Sequence, residues 1–223
     1  MVLIGNINRF PHELDFVDFG SKLSYTERQE LVRSIMNDLF GDNIADYSYK
    51  VNAFILANYY FLQATESYIY TQYNAAMVML RNAIEAALWF AYCYEPIYKD
   101  SNAEPIGYSP NENYTKYTKD NWTLGGMRDA IHKLDLNPIF NSGSSAEYEI
   151  NSIRDKGNFS AHLAQRQSRA FKEFSEMNDQ QRRNNGYHIK TTAEEEDTRY
   201  TIQQTAKYLI YIREQYFKKY PHP

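Results

Sequence analysis

Apolar side chains recur along this chain at helical spacing and almost nowhere at the alternation of strands. Leu31, Val32, Ile35, Met36 and Leu39 fall at i, i+1, i+4, i+5 and i+8, one face of a helix. Ser24-Tyr25-Thr26-Glu27 precedes them as a capping box, the serine side chain accepting from the Glu27 backbone N–H while the glutamate reaches back. A helix is predicted to start there and to stop at Gly41. Residues 1–23, with Pro11 and Gly20, fit neither period and read as an irregular arm.

A second helical pattern runs over 47–70, carried by Val51, Ile55, Tyr59, Leu62 and Ile69 with no internal Gly or Pro. Gln72-Tyr73-Asn74 marks a break or a bend, and 74–94 is apolar nearly all round, as expected of the central helix of a bundle stopped by Pro96. Residues 97–121, rich in Asn, Tyr, Lys, Pro and Ser, read as a long loop. Shorter helices are predicted over 124–134, capped by Thr123 with Leu124, Met127, Ile131 and Leu134 on one side, over 146–165, and as a piece around 170–177. The last helix, 193–220, opens with a Thr192/Glu195 capping box and an acidic turn and closes on Lys218-Lys219, as the helix dipole favours. The expected fold is all-α: an arm with a capped helix over 1–46, then a helical bundle over 47–223.

Composition narrows the setting. At 223 residues and 43% hydrophobic content the chain can bury one sizeable core. The single Cys93 closes no internal disulfide and sits in an apolar run, and the N-terminus shows no basic segment ahead of an apolar stretch, so the expected compartment is the cytoplasm. The one stretch of membrane-span length, 75–93, carries Arg81, Asn82 and Glu85 near its centre and reads as a buried helix, not a membrane segment. Net charge is −4, which gives no global field for nucleic acid. Between Arg154 and Lys190, however, eight basic residues face four acidic ones, so this segment carries +4 and the remainder −8. The histidines at 12, 132, 162, 188 and 222 lack metal-ligand spacing, and neither a metal nor another cofactor is expected. The 21 tyrosines and 12 phenylalanines read as core and interface, not as a stacking surface for bases.

Candidate chemistry gathers on two helices. Arg154, Asn158 and His162 stand at i, i+4 and i+8 and drift only about 80°, forming one polar stripe. Ile150, Ile153, Gly157, Ala161 and Ala164 make the adjoining apolar face, with small residues where a second helix can approach. Gly157 in mid-helix costs about 1 kcal/mol relative to Ala, which close packing or backbone approach by a ligand would offset. On the central helix Arg81 and Glu85 are an i, i+4 pair, read either as a structural ion pair or as groups orienting the Arg154 stripe across the bundle.

Asn74-Ala75-Ala76 through Arg81-Asn82-Ala83-Ile84-Glu85, then Thr123-Leu124-Gly125, then Arg154-x-x-Gly157-Asn158-x-x-Ala161-His162, then a terminal helix opened by Thr-Ala-Glu-Glu, resemble in order the HEPN superfamily, in the branch with an R-x-x-G-N-x-x-A-H signature. The likeness covers about residues 47 to 219. It implies a helical bundle of a kind that often forms a homodimer, bringing two copies of the Arg/His motif together. Many members are metal-independent ribonucleases of toxin, abortive-infection and restriction systems, and others bind nucleotides or protein partners without cleaving. Arg154 and His162 have seven residues between them, where the nuclease members have four to six, and Gly157 stands where they usually carry Arg. Two functions are therefore carried forward. The first is a metal-independent endoribonuclease of a defence or toxin-like system, with His162 as general acid–base, Arg154 as phosphate fork, Asn158 as hydrogen-bonding partner of phosphate or imidazole, and Arg166 and Arg169 on the substrate backbone. The second is a non-catalytic dimerisation module that binds RNA, a nucleotide or a protein partner. Arg81, Glu85 and Gly157 hold the stripe in place in either case.

Overall fold

The computed structural model describes residues 23–40, 49–99, 104–116, 122, 124–162, 176 and 195–221. Within them the chain is mostly helical, with one two-stranded sheet. The elements are α1 (Tyr25–Phe40), α2 (Tyr49–Ala53), α3 (Ile55–Ile69), α4 (Tyr73–Cys93), β1 (Tyr94–Ile97), β2 (Gly107–Pro110), α5 (Glu112–Lys116), α6 (Leu124–Lys133), α7 (Ala146–Ala161) and α8 (Glu195–Lys219). The irregular arm over 1–22, the stop at Gly41, the caps at Thr123 and Thr192, and the helix around 170–177, apart from helical Glu176, fall outside the described residues.

α4 is the central element, as its near-continuous apolar character requires, and α3, α6, α7 and α8 all pack on it. Its Leu80, Ile84 and Leu88 are fully buried against Phe61 and Tyr68 of α3, Ile150 and Ile153 of α7, and Tyr208, Ile212 and Tyr216 of α8, within one continuous core. α1 rests on α3 and α8 through Val32, Ile35, Met36 and Leu39. The predicted capping box is made: the Glu27 backbone N–H donates to Ser24 Oγ at 3.3 Å, and the Ser24 backbone N–H to Glu27 Oε2 at 2.7 Å. That exchange lowers the Glu27 carboxyl pKa, mainly through the serine hydroxyl. Buried Arg28 donates through Nε to the Ile69 carbonyl at 3.0 Å, closing the end of α3.

The structure corrects or sharpens the expected pattern at five places. The helix over 47–70 is two helices hinged at Phe54, whose φ of −99° and ψ of 28° interrupt the ladder although no Gly or Pro is present; the Phe54 ring inserts between Phe90 and Tyr216 instead. The break before α4 is a true reversal, with Thr71 at a φ of 59°. The long loop after 97 contains structure: β1 and β2 pair antiparallel with Tyr94 opposite Pro110 and Ile97 opposite Gly107, and α5 follows. Two four-residue strands, each holding a proline, leave too short an alternation to detect. Finally, α7 stops at Ala161, and His162 takes extended backbone, φ −96° and ψ 97°, so the predicted run to 165 is cut short. Leu124 also proves exposed, unlike Met127, Ile131 and Leu134 on the same helix.

Candidate functional site

α7 lies antiparallel on α4, and Gly157 sets how closely. A Cβ placed there would lie 2.4 Å from Arg81 Cβ and 2.8 Å from the Met77 carbonyl oxygen, distances no side-chain carbon tolerates. The missing methyl thus lets the two backbones approach. Ile150 and Ile153 complete the seam below Gly157, and Ser160 is buried above it. Ala161, expected on this face, is exposed because the helix ends there.

The close approach brings three charged groups together. Arg81 donates to Glu85 in bidentate fashion, Nε to Oε1 at 3.1 Å and Nη2 to Oε2 at 3.3 Å. Arg154 reaches across from α7, its Nε 3.3 Å from the same Glu85 Oε1. One carboxylate is therefore shared by two guanidinium groups, with side chains 27%, 20% and 22% exposed for Arg81, Glu85 and Arg154. Asp155 stands 3.6 Å from Arg154 Nη1, but its side chain is 70% exposed and little constrained. The half-buried carboxamides of Asn82 and Asn158 lie beside this cluster by helical position and make no hydrogen bond to another described residue.

Arg154 and Asn158 are thus on the open edge of the seam. His162 is exposed at the C-cap of α7, its backbone N–H donating to the Asn158 carbonyl at 3.0 Å. Eight helical steps put it about 12 Å along the axis from Arg154. The Arg154 guanidinium meanwhile leans toward Glu85, away from that end. Within one chain the three stripe residues share a side of α7 but do not meet at one atom-sized point. Arg166 and Arg169 lie outside the described residues. Of the basic segment, Lys156 is engaged elsewhere, its Nζ 2.6 Å from Asp197 Oδ1 and 3.2 Å from Thr201 Oγ1 on α8. Among the described residues no group of three His, Cys, Asp or Glu is arranged to hold a metal ion, and no helix is long and apolar enough to cross a membrane.

One important carboxylate gave no signal in the sequence. Buried Glu149, in the first turn of α7, accepts from the backbone N–H of Ile139 at 3.0 Å, Phe140 at 3.3 Å and Asn141 at 2.8 Å, from Ser144 Oγ at 2.7 Å, and from Tyr208 Oη. Burial pushes its pKa up, but the bonds from Tyr208, Ser144 and the backbone outweigh it and hold the carboxyl below its ordinary value. Its partners come from a turn ten residues back and a helix 59 residues on, a set that no local spacing discloses. Compared with protein-family models, with curated proteins and with solved structures, the chain matches none.

Proposed function

We propose that this chain is a HEPN-like, RNA-directed protein of the cytoplasm that acts as a homodimer, takes an RNA phosphate at the α4–α7 seam, and cleaves the strand without a metal. The observation that carries the reading is the shared carboxylate: two arginines on one largely buried glutamate, with exposed Asp155 as the further counter-charge, leave guanidinium N–H donors at a surface edge, next to two carboxamides with donors to spare. Planar, permanently charged forks are suited to phosphate oxygens. RNA carries its own nucleophile, so the reaction asks little more than charge stabilisation and proton transfer. An imidazole takes the 2′-hydroxyl proton as that oxygen attacks the adjacent phosphorus. The P–O5′ bond breaks, the proton passes to the departing 5′-oxygen, and the products are a 2′,3′-cyclic phosphate and a 5′-hydroxyl.

The 12 Å axial gap within one chain becomes an argument for the dimer. Asn158 lies midway between Arg154 and His162. Two copies of α7 packed antiparallel about a two-fold axis at Asn158 would set Arg154 of one protomer beside the partner's His162, twice over. A defence or toxin-like role follows from the HEPN resemblance.

The test is cleavage of single-stranded RNA in EDTA by the wild type, by Arg154→Ala, by His162→Ala, and by a mixture of the two variants. Activity in the wild type, its loss in each variant, and partial recovery on mixing support composite sites across the two-fold axis. The commitment of Arg154 to Glu85 favours a second reading, a binding module without catalysis. RNA binding with no cleavage by any of the four samples would establish that reading and reject the first.

A further inference from the structure

α4 is central yet not sealed. Val78, Asn82, Glu85 and Trp89 fall within about 60° of one another on the helix and are all only partly buried, a partly accessible strip running past the arginine pair toward the C-terminal end. Several aromatic rings fill the core, Phe54, Tyr68, Tyr208 and Tyr216 among them. Where the strip ends, three rings stand at the rim instead. Trp89 is one helical turn past Glu85; its ring centroid lies 5.3 Å from Tyr94 and 5.9 Å from Tyr114, and Tyr94 lies 5.6 Å from Tyr114. Tyr114 is 37% exposed, and Trp89 and Tyr94 are half-buried. Trp89 and Tyr114 meet at 51°, so neither ring covers the whole face of the other.

The cluster is held firmly. Tyr94 begins β1 and pairs opposite Pro110. The Asn111 backbone N–H donates to the Cys93 carbonyl at 2.9 Å, its side chain to the Tyr92 carbonyl at 2.9 Å, and the Tyr114 backbone N–H returns to the Asn111 carbonyl at 3.1 Å. Rigid aromatic rings beside cationic groups are the recurring means of holding a single strand, since every base has a face to stack and the backbone phosphate follows the charge.

Resting on the RNA reading above, we propose that Trp89 and Tyr114 form a stacking subsite for an unpaired base of the strand whose phosphate lies at Arg81 and Arg154. The ligand class is thereby narrowed to single-stranded RNA, because a duplex keeps its base faces covered. The sequence holds only two tryptophans, so Trp122→Phe leaves Trp89 as sole reporter. That variant is titrated with single-stranded oligoadenylate and with an RNA duplex of equal length, binding being read independently by anisotropy of end-labelled RNA. Should Trp122→Phe fold poorly, the wild-type emission minus that of Trp89→Phe gives the same signal. The expected result is quenching of Trp89 by the single strand with the midpoint seen by anisotropy, no quenching by the duplex, and a loss of roughly 5- to 150-fold in single-strand affinity for Tyr114→Ala. Binding by anisotropy with Trp89 emission unchanged and Tyr114→Ala at wild-type affinity overturns the stacking subsite alone. Absence of binding by either RNA overturns the RNA reading with it.

Discussion

Two carboxylates on neighbouring helices are used in opposite ways. Glu149, at the start of α7, is buried and saturated by backbone, serine and tyrosine donors, so nothing remains for a ligand. Glu85, partly buried on α4 and opposite the middle of α7, is shared by two arginines that are themselves partly exposed and keep donors it does not use. Saturation fixes a turn; sharing leaves binding capacity. The position of each group along one seam decides which outcome the same chemistry gives.

Removing the saturated group should have the largest effect on folding. Glu149→Ala leaves the Tyr208 hydroxyl and turn N–H groups without their acceptor, and a loss of about 2–4 kcal/mol in chemical denaturation is expected. Wild-type stability instead would show that the 139–144 turn holds itself. Next comes the seam. Gly157→Ala adds a methyl where Arg81 Cβ and the Met77 carbonyl already stand. The displacement cost of about 1–3 kcal/mol exceeds the roughly 1 kcal/mol gain in helix propensity, so the melting temperature should fall and RNA affinity with it.

A smaller effect sharpens the contrast by pH. The Glu149 carboxyl is lowered in the fold, so the unfolded chain binds the proton first as pH drops. Its contribution is present above the ordinary carboxylate value and is lost as pH falls through the lowered folded value. Denaturation midpoints measured from pH 6 downward should therefore decline less steeply in Glu149→Gln than in the wild type. The smallest stability change belongs to Glu85→Gln, under about 1 kcal/mol because the pair is partly solvated. There the informative readout is binding: without the competing carboxylate, RNA affinity at low salt should rise about five-fold. A fall would mean that Glu85 acts chiefly to orient the arginines.

How much of this the sequence disclosed depends on whether the cause was local. Helical periodicity and the Ser24/Glu27 box delivered α1, α4, α6, α7 and α8 to within a few residues, because each buries one face against neighbours. Arg81, Glu85 and Arg154 stood out as charges in apolar surroundings, and the structure places them in contact. The hinge at Phe54 was invisible, since it answers to the rings of Phe90 and Tyr216 far along the chain. So was Glu149, whose role lies in partners from other segments. The end of α7 at Ala161 moved His162 off the helix, and no glycine or proline follows there to announce it.

The central claim is that the Arg154 edge of the seam takes an RNA phosphate, and salt dependence tests it most directly. Affinity for single-stranded RNA measured across a series of salt concentrations should fall linearly on logarithmic axes, and Arg154→Ala should bind more weakly with a slope shallower by about 0.7. Identical affinity and slope in the two proteins would contradict the account.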